Sequence, residues 1–225
     1  MENESINKEI ISIWEKYPEK IRGENLPLVY PFFNKGELLF IGCNPSLRKN
    51  SKEDFKFNLS KIDNLLKFEK QNQQNPKDQY FGKFVKIANS IGLTWNHIDL
   101  FYYRETNQNK FKEKILNNPK AKVKNFNDFN DFGKDQIKFS INLINKINPK
   151  IILVANAFSS SLIKTLLKER IKYSKEEGYH LLELNSKEIP IFFSSMISGQ
   201  RALDDHSFER LVWHMKESLK KEGKN

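Results

Sequence analysis

Leu38-Leu39-Phe40-Ile41-Gly42-Cys43-Asn44-Pro45-Ser46 is an apolar run that ends in a glycine, a side-chain amide and a proline. Four consecutive large apolar residues before such a turn read as a short strand buried on both faces, of the kind found in parallel sheets. Open α/β sheets place their ligands beyond the C-terminal ends of such strands. A second stretch has the same form: Ile189-Pro190-Ile191-Phe192-Phe193 runs into Ser194-Ser195-Met196-Ile197-Ser198-Gly199-Gln200-Arg201. Two polar turns after two buried strands are expected to wall one cleft.

Further strands and helices alternate around these two. Ile151 to Val154 is a third continuous apolar run, and Trp95 to Phe101 reads as another strand. Tyr179 to Leu184 reads as a further short one. Helical spacing is carried by Ile6, Ile10, Ile13 and Trp14, and by Tyr80 to Ile91, which Gly92 stops. It recurs at Ile137, Ile141 and Ile144, at Phe158, Leu162, Ile163 and Leu166, and at Phe208, Leu211, Val212 and Met215. Residues 47–78 and 106–131 are polar and rich in Lys, Asn and Gln, and read mainly as loop. The alternation predicts an α/β fold, a three-layer α/β/α sandwich around a central, mostly parallel four-stranded sheet. No repeat or Pro/Gly-rich linker divides the sequence. The expectation is one domain over 1–225, with a core of about 37–219 and an N-terminal helix at 5–16 packed on it.

Bulk composition narrows the class. The 225 residues include 18 Phe and are 38% hydrophobic, enough for a globular core. No apolar stretch approaches the ~20 residues of a membrane span, and the acidic start lacks a signal region. A single cysteine, Cys43, excludes an internal disulfide and any cysteine-rich metal site. The expected compartment is cytoplasmic, and the expected state is a monomer. Net charge is +10, from 38 Lys+Arg against 28 Asp+Glu. That is the electrostatic footprint of a nucleic-acid partner. An A·T-rich coding sequence, which enriches Lys, Asn and Ile, would give the same bias.

Gly42-Cys43-Asn44-Pro45-Ser46-Leu47 resembles the first motif of the uracil-DNA glycosylase superfamily, closest to its mismatch-specific branch, where Gly-x-Asn-Pro-Gly occurs. The second motif of that superfamily, His-Pro-Ser-Pro-Leu-Ser followed by Arg, falls on Phe193 to Ser198 with Arg201 in the arginine place. The resemblance spans about 37–219. It implies an enzyme that flips a damaged or deaminated base out of DNA, single- or double-stranded, and hydrolyses its N-glycosidic bond without metal or cofactor.

The resemblance also implies roles. Asn44 matches the residue that orients the attacking water; alternatively it is a turn residue whose amide satisfies local backbone. Asp99, at the end of the second strand, takes the place of a base-reading Asn. An ionised Asp only accepts hydrogen bonds, which disfavours the uracil O4. Alternatively Asp99 pairs with a cation such as Arg104. Cys43, Phe101, Phe193 and Ser194 would lie against the base. Phe193 stands where the family's catalytic His stands, and a phenyl ring donates no hydrogen bond to the departing base. Ile197 matches the wedge that fills the gap left by a flipped base. Ser46, Ser195, Ser198, Gly199 and Arg201 would hold phosphates.

Competing classes are a nucleic-acid- or nucleotide-binding module on the same fold, with catalysis lost through Phe193, and a hydrolase using Ser159, Ser160 or Ser161. No Gly-x-Ser-x-Gly elbow surrounds that serine triplet, and no Gly-x-Gly-x-x-Gly follows any strand. The four His (His97, His180, His206, His214) lack zinc-ligand spacing.

Overall fold

The computed structural model of the protein describes residues 3–33, 37–46, 55–198 and 202–222. Among these, the chain is α/β, with eight α-helices and one six-stranded mixed sheet. It divides into two compact units, each built from three sequence segments: Met1–Phe33, Cys43–Gln71 and Asp99–Lys146 form the first, and Asn34–Gly42, Asn72–Ile98 and Ile147–Asn225 the second.

The second unit carries the sheet. Its strands are β1 (Leu38–Gly42), β2 (Trp95–Asp99, whose last residue belongs to the first unit), β3 (Ile151–Ala155), β4 (Ile171–Ser174), β5 (Tyr179–Leu184) and β6 (Lys187–Ser194). The order is β2-β1-β3-β6-β5-β4. β1, β3 and β6 run parallel, with Phe40 opposite Leu153 and Leu153 opposite Phe192. β6, β5 and β4 run antiparallel. The expectation of four mostly parallel strands is therefore corrected to six in a mixed sheet. The added edge is β4, whose Ile-Lys-Tyr-Ser is only partly buried and carries no apolar run.

β1 and β3 are buried at every residue, which is why they read as continuous apolar runs. On one sheet face, Phe40, Leu153 and Phe192 meet α4 (Phe81–Ile91) and α8 (Asp205–Glu222) through Phe84, Ile87, Phe208 and Met215. On the other face, α7 (Ala157–Leu166) packs against β3 and β6. Gly92 closes α4 in the left-handed conformation at φ 72°. Asn185 and Ser186 join β5 to β6, both at positive φ (48° and 64°), the backbone of a two-residue type I′ hairpin.

The first unit is mainly helical: α1 (Asn3–Lys16), α2 (Glu19–Arg22), most of α3 (Ile62–Gln74), α5 (Gln108–Ile115) and α6 (Asp131–Ile147). Trp14 of α1 is fully buried and meets Phe132 of α6 edge-on at 5.0 Å. Leu65 of α3 packs with Leu26, Val29 and Phe55. Among the described residues no helix is long and apolar enough to cross a membrane, and no three His, Cys, Asp or Glu side chains cluster as metal ligands.

Candidate functional site

Because β1, β3 and β6 are parallel, Gly42, Ala155 and Ser194 end at one edge of the sheet. β2 lies on one side of β1 and β3 on the other, so the strand order reverses at β1. Such a reversal is where open α/β sheets bind ligands, and the Asn44 turn leaves the sheet there. Two serines of α7 fix this edge. Asn156 caps the helix, its Oδ1 accepting from the Phe158 and Ser159 N–H groups. The Ser159 hydroxyl donates to the Gly42 carbonyl at 3.0 Å, and the Ser160 hydroxyl to the Ser194 carbonyl at 3.3 Å. Both serines are buried. Hydroxyls engaged with strand-end carbonyls serve as struts, which gives Ser159 and Ser160 a structural task, while Ser161 is exposed on the helix.

In the first unit, the segment after β1 is laced to the segment after β2. The Phe101 N–H donates to the Cys43 carbonyl at 2.9 Å, and the Glu105 N–H to the Pro45 carbonyl at 3.1 Å. Asn44 closes the seam: its Nδ2 donates to the carbonyls of Glu105 (2.7 Å), Tyr103 (3.3 Å) and Pro45 (3.3 Å). Three acceptors around one nitrogen settle which end of the amide is which. The Oδ1 is thereby turned away from those carbonyls, as an acceptor of fixed direction. Asn44 thus does what a turn amide does and also presents an oriented oxygen.

The strand-end segment 99–105 is itself pinned by polar groups of α6. Gln136 Oε1 accepts from the N–H groups of Tyr102 and Tyr103 at 2.8 and 3.2 Å, and the Ser140 hydroxyl donates to the Leu100 carbonyl at 2.9 Å. Both side chains are fully buried. The Asp99 N–H donates to the Tyr30 hydroxyl at 3.0 Å.

Asp99 is 4% exposed. Burial, reinforced by Glu69 and opposed by Arg104, pushes its carboxyl up to about 8. At neutral pH the group therefore holds its proton and offers one donor and one acceptor, as an amide does. That corrects the expectation of an acceptor-only carboxylate. The Arg104 guanidinium makes its ion pair with Glu69, Nη2 to Oε1 at 2.6 Å. It also donates to the Leu26 and Pro27 carbonyls and lies 4.4 Å from the Phe55 ring. Its influence on Asp99 is through the field. Glu69, Tyr30, Gln136 and Ser140 are absent from the sequence-based candidates. They lie 30 to 70 positions from the residues they hold, a separation that local patterns do not bridge.

The remaining candidates separate into core and surface. Phe101 is fully buried, its ring against Phe111 and Phe129 at 5.2 and 6.0 Å. No face of that ring is left for a base. Cys43 is buried, and Ser46 is exposed. Ile197, expected as a wedge, is instead buried in the core cluster with Phe192 and Phe208. The exposed apolar side chain of that turn is its neighbour Met196. Strand alternation continued past β6 would put Met196 on the Phe192 face; the turn after Ser194 breaks it and turns Ile197 inward instead. Ser195 is exposed and Ser198 buried. The Ser194 hydroxyl is buried and makes no hydrogen bond among the described residues. Gly199 and Arg201 lie outside the described residues. Phe193 is half-buried at the end of β6, with Lys164 Nζ 4.3 Å from its ring centre and His180 5.1 Å away edge-on. His206 is exposed in the first turn of α8.

No protein-family model matches the chain, and no curated protein matches it either.

Proposed function

We propose that the protein is a DNA glycosylase-like enzyme that hydrolyses the N-glycosidic bond of a damaged or deaminated base in DNA, on the three-layer α/β/α plan of the superfamily its motifs resemble. The observation that carries this reading is the clamped Asn44 amide at the C-terminal end of β1, where the strand order reverses. An oriented Oδ1 accepts one O–H of a water and aims its lone pair at C1′. An oxocarbenium-like centre needs little more than a positioned water. The water oxygen bonds to C1′ as the bond to the base nitrogen breaks; the electron pair leaves with the base, and the proton lost by the water passes through solvent to the departing base. A protonated Asp99 offers the base edge a donor where negative charge collects. Asn44 and Asp99 need no metal or cofactor for these roles.

Phe193 favours a second reading, a binder of nucleic acid or a nucleotide in which catalysis is impaired. Its ring is engaged by Lys164 and His180 and supplies no hydrogen bond to a departing base. One experiment separates the two. Oligonucleotides carrying uracil, hypoxanthine, xanthine or a G·T mismatch, single-stranded and duplex, are incubated with the protein and with Asn44→Ala. Abasic-site cleavage that falls at least a hundredfold in a folded Asn44→Ala variant supports the enzyme. No cleavage, with salt-dependent binding retained, selects the binder.

A further inference from the structure

Three rings lie side by side across the outer strands of the sheet. Tyr173 of β4 and His180 of β5 are register partners with ring centres 5.1 Å apart. His180 is opposite Ile191 of β6, and Phe193, two residues on, projects from the same face. Its ring centre is 5.1 Å from that of His180, at 87°. The ladder is graded in exposure. Phe193 and His180 are half-buried, and Tyr173 on the edge strand is 56% exposed. Strands ~4.8 Å apart make the row about 10 Å long.

Charge is sorted across the same strands. The acidic residues of β4, β5 and β6 are Glu183 and Glu188, which are register partners on the opposite face. Glu188 there binds Lys172 at 2.5 Å. On the ladder face stands Lys164 of α7, its ammonium over the Phe193 ring. Burial and Lys164 both lower the basicity of His180, so its imidazole is a neutral flat ring at physiological pH. An apolar protein partner would gain nothing from the lysine. A strand with exposed π-faces and a phosphate backbone uses both parts, because bases stack on aromatic rings whatever their sequence and phosphates seek the cation.

We propose that Tyr173, His180 and Phe193, with Lys164, form a stacking platform for unpaired bases of single-stranded nucleic acid. Successive rings meet edge to face, at 63° and 87°, so each offers its own exposed surface to a base. Tyr173 is the outermost ring, and Lys164 holds a phosphate at the inner end. The platform requires no base excision, so it stands or falls apart from the glycosylase reading.

The test is fluorescence anisotropy of the full chain with a labelled 15-nucleotide oligo-dT, the same length of oligo-U, an abasic spacer of equal length, and a duplex. Tyr173→Ala is expected to weaken oligo-dT binding about tenfold, Tyr173→Phe to restore it, and Lys164→Gln to weaken it and reduce its salt dependence. Oligo-U binding with the same dependence on Tyr173 widens the ligand to RNA within the same platform. Trp213, 61% exposed on α8 beyond the opposite face, is the control, and Trp213→Ala is expected to leave the affinity unchanged. Equal affinity of Tyr173→Ala and the parent, equal binding of oligo-dT and the abasic spacer, or a Tyr173-dependent dimer in sedimentation without DNA would each overturn the proposal. Excision without Tyr173-dependent binding removes the platform and keeps the enzyme. Tyr173-dependent binding without excision does the reverse.

Discussion

Asn44 shows how one side chain serves structure and chemistry together. Its Nδ2 satisfies three carbonyls of the seam between the segments that follow β1 and β2. Removing the donor leaves those acceptors without it, and a partly buried acceptor so stranded costs about 1–3 kcal/mol. Asn44→Ala is expected to lower the urea-unfolding free energy by about that amount, and Asn44→Asp by no less, since a carboxylate would face three carbonyl oxygens. Both losses read out in equilibrium denaturation without any substrate. If Asn44→Ala left stability unchanged, the amide would not be clamped and its oxygen would have no fixed direction. Asp99 is the complementary case. A neutral carboxyl at pH 7 has the hydrogen-bonding pattern of an amide, so Asp99→Asn is expected to preserve activity at neutral pH. It should also remove the loss of activity that the parent shows as pH rises through about 8. A pH–rate profile of the two proteins checks this.

Elements carry their own tests. The hairpin between β5 and β6 turns on Asn185-Ser186, and Ser186 sits at φ 64° with a side chain that disfavours it. Left-handed backbone costs a non-glycine residue ~1–2 kcal/mol, against which glycine's greater freedom in the unfolded chain must be set. Ser186→Gly is expected to stabilise by about 0.5–1 kcal/mol, measured as a raised urea midpoint. Gly133 in the first turn of α6 works in the opposite sense. A Cβ there would meet the backbone carbonyl of Ile115 at the end of α5. The usual helical gain of Gly→Ala, up to ~1 kcal/mol, is outweighed by a clash with backbone that cannot rotate away. Gly133→Ala is expected to destabilise by about 1–3 kcal/mol. What could be read from sequence follows from the same physics. Leu38 to Ile41 and Ile151 to Val154 announced themselves because strands buried on both faces admit only apolar residues. α4 and α8 were legible through their apolar faces. β4 was not, because an edge strand with Lys172 and Tyr173 in solvent keeps no pattern. α3 hid behind its Lys, Asn and Gln, since its docked face joins Leu65 and the partly covered Ile62, Leu66 and Phe68 to the buried polar side chains Glu69 and Gln73. Asn44 was legible as a motif. Its three acceptors and the Asp99–Glu69–Arg104 cluster were not, because they are assembled by tertiary structure.

For the whole molecule, two buried groups set opposing pH slopes. Asp99 binds its proton more tightly folded, at about 8, than its usual 3.8. Its contribution is full below pH 4 and is lost as pH rises through 8. Burial drops His97 from 6.5 to about 3. The contribution of its neutral ring is full above 6.5 and is lost as pH falls through 3. Between about pH 4 and 6.5 the two slopes oppose each other, which predicts a plateau of stability there. Beyond pH 6.5 only the Asp99 slope remains, and stability declines to about pH 8. Urea midpoints measured from pH 4 to 9 should trace that shape. Asp99→Asn should abolish the alkaline decline and turn the plateau between about pH 4 and 6.5 into the uncompensated rise of His97; a decline that survives the substitution would assign it to another group.

The neighbouring serines of α7 have a mechanical meaning as well. Ser159 grips the end of β1 and Ser160 the end of β6, one residue apart on a single helix turn. The helix start is a yoke across two strand ends that are not themselves adjacent, with β3 running between them. A displacement of either strand end pulls on the same helix start, so the C-terminal ends of β1 and β6, at Gly42 and Ser194, are geared to each other through one rigid part.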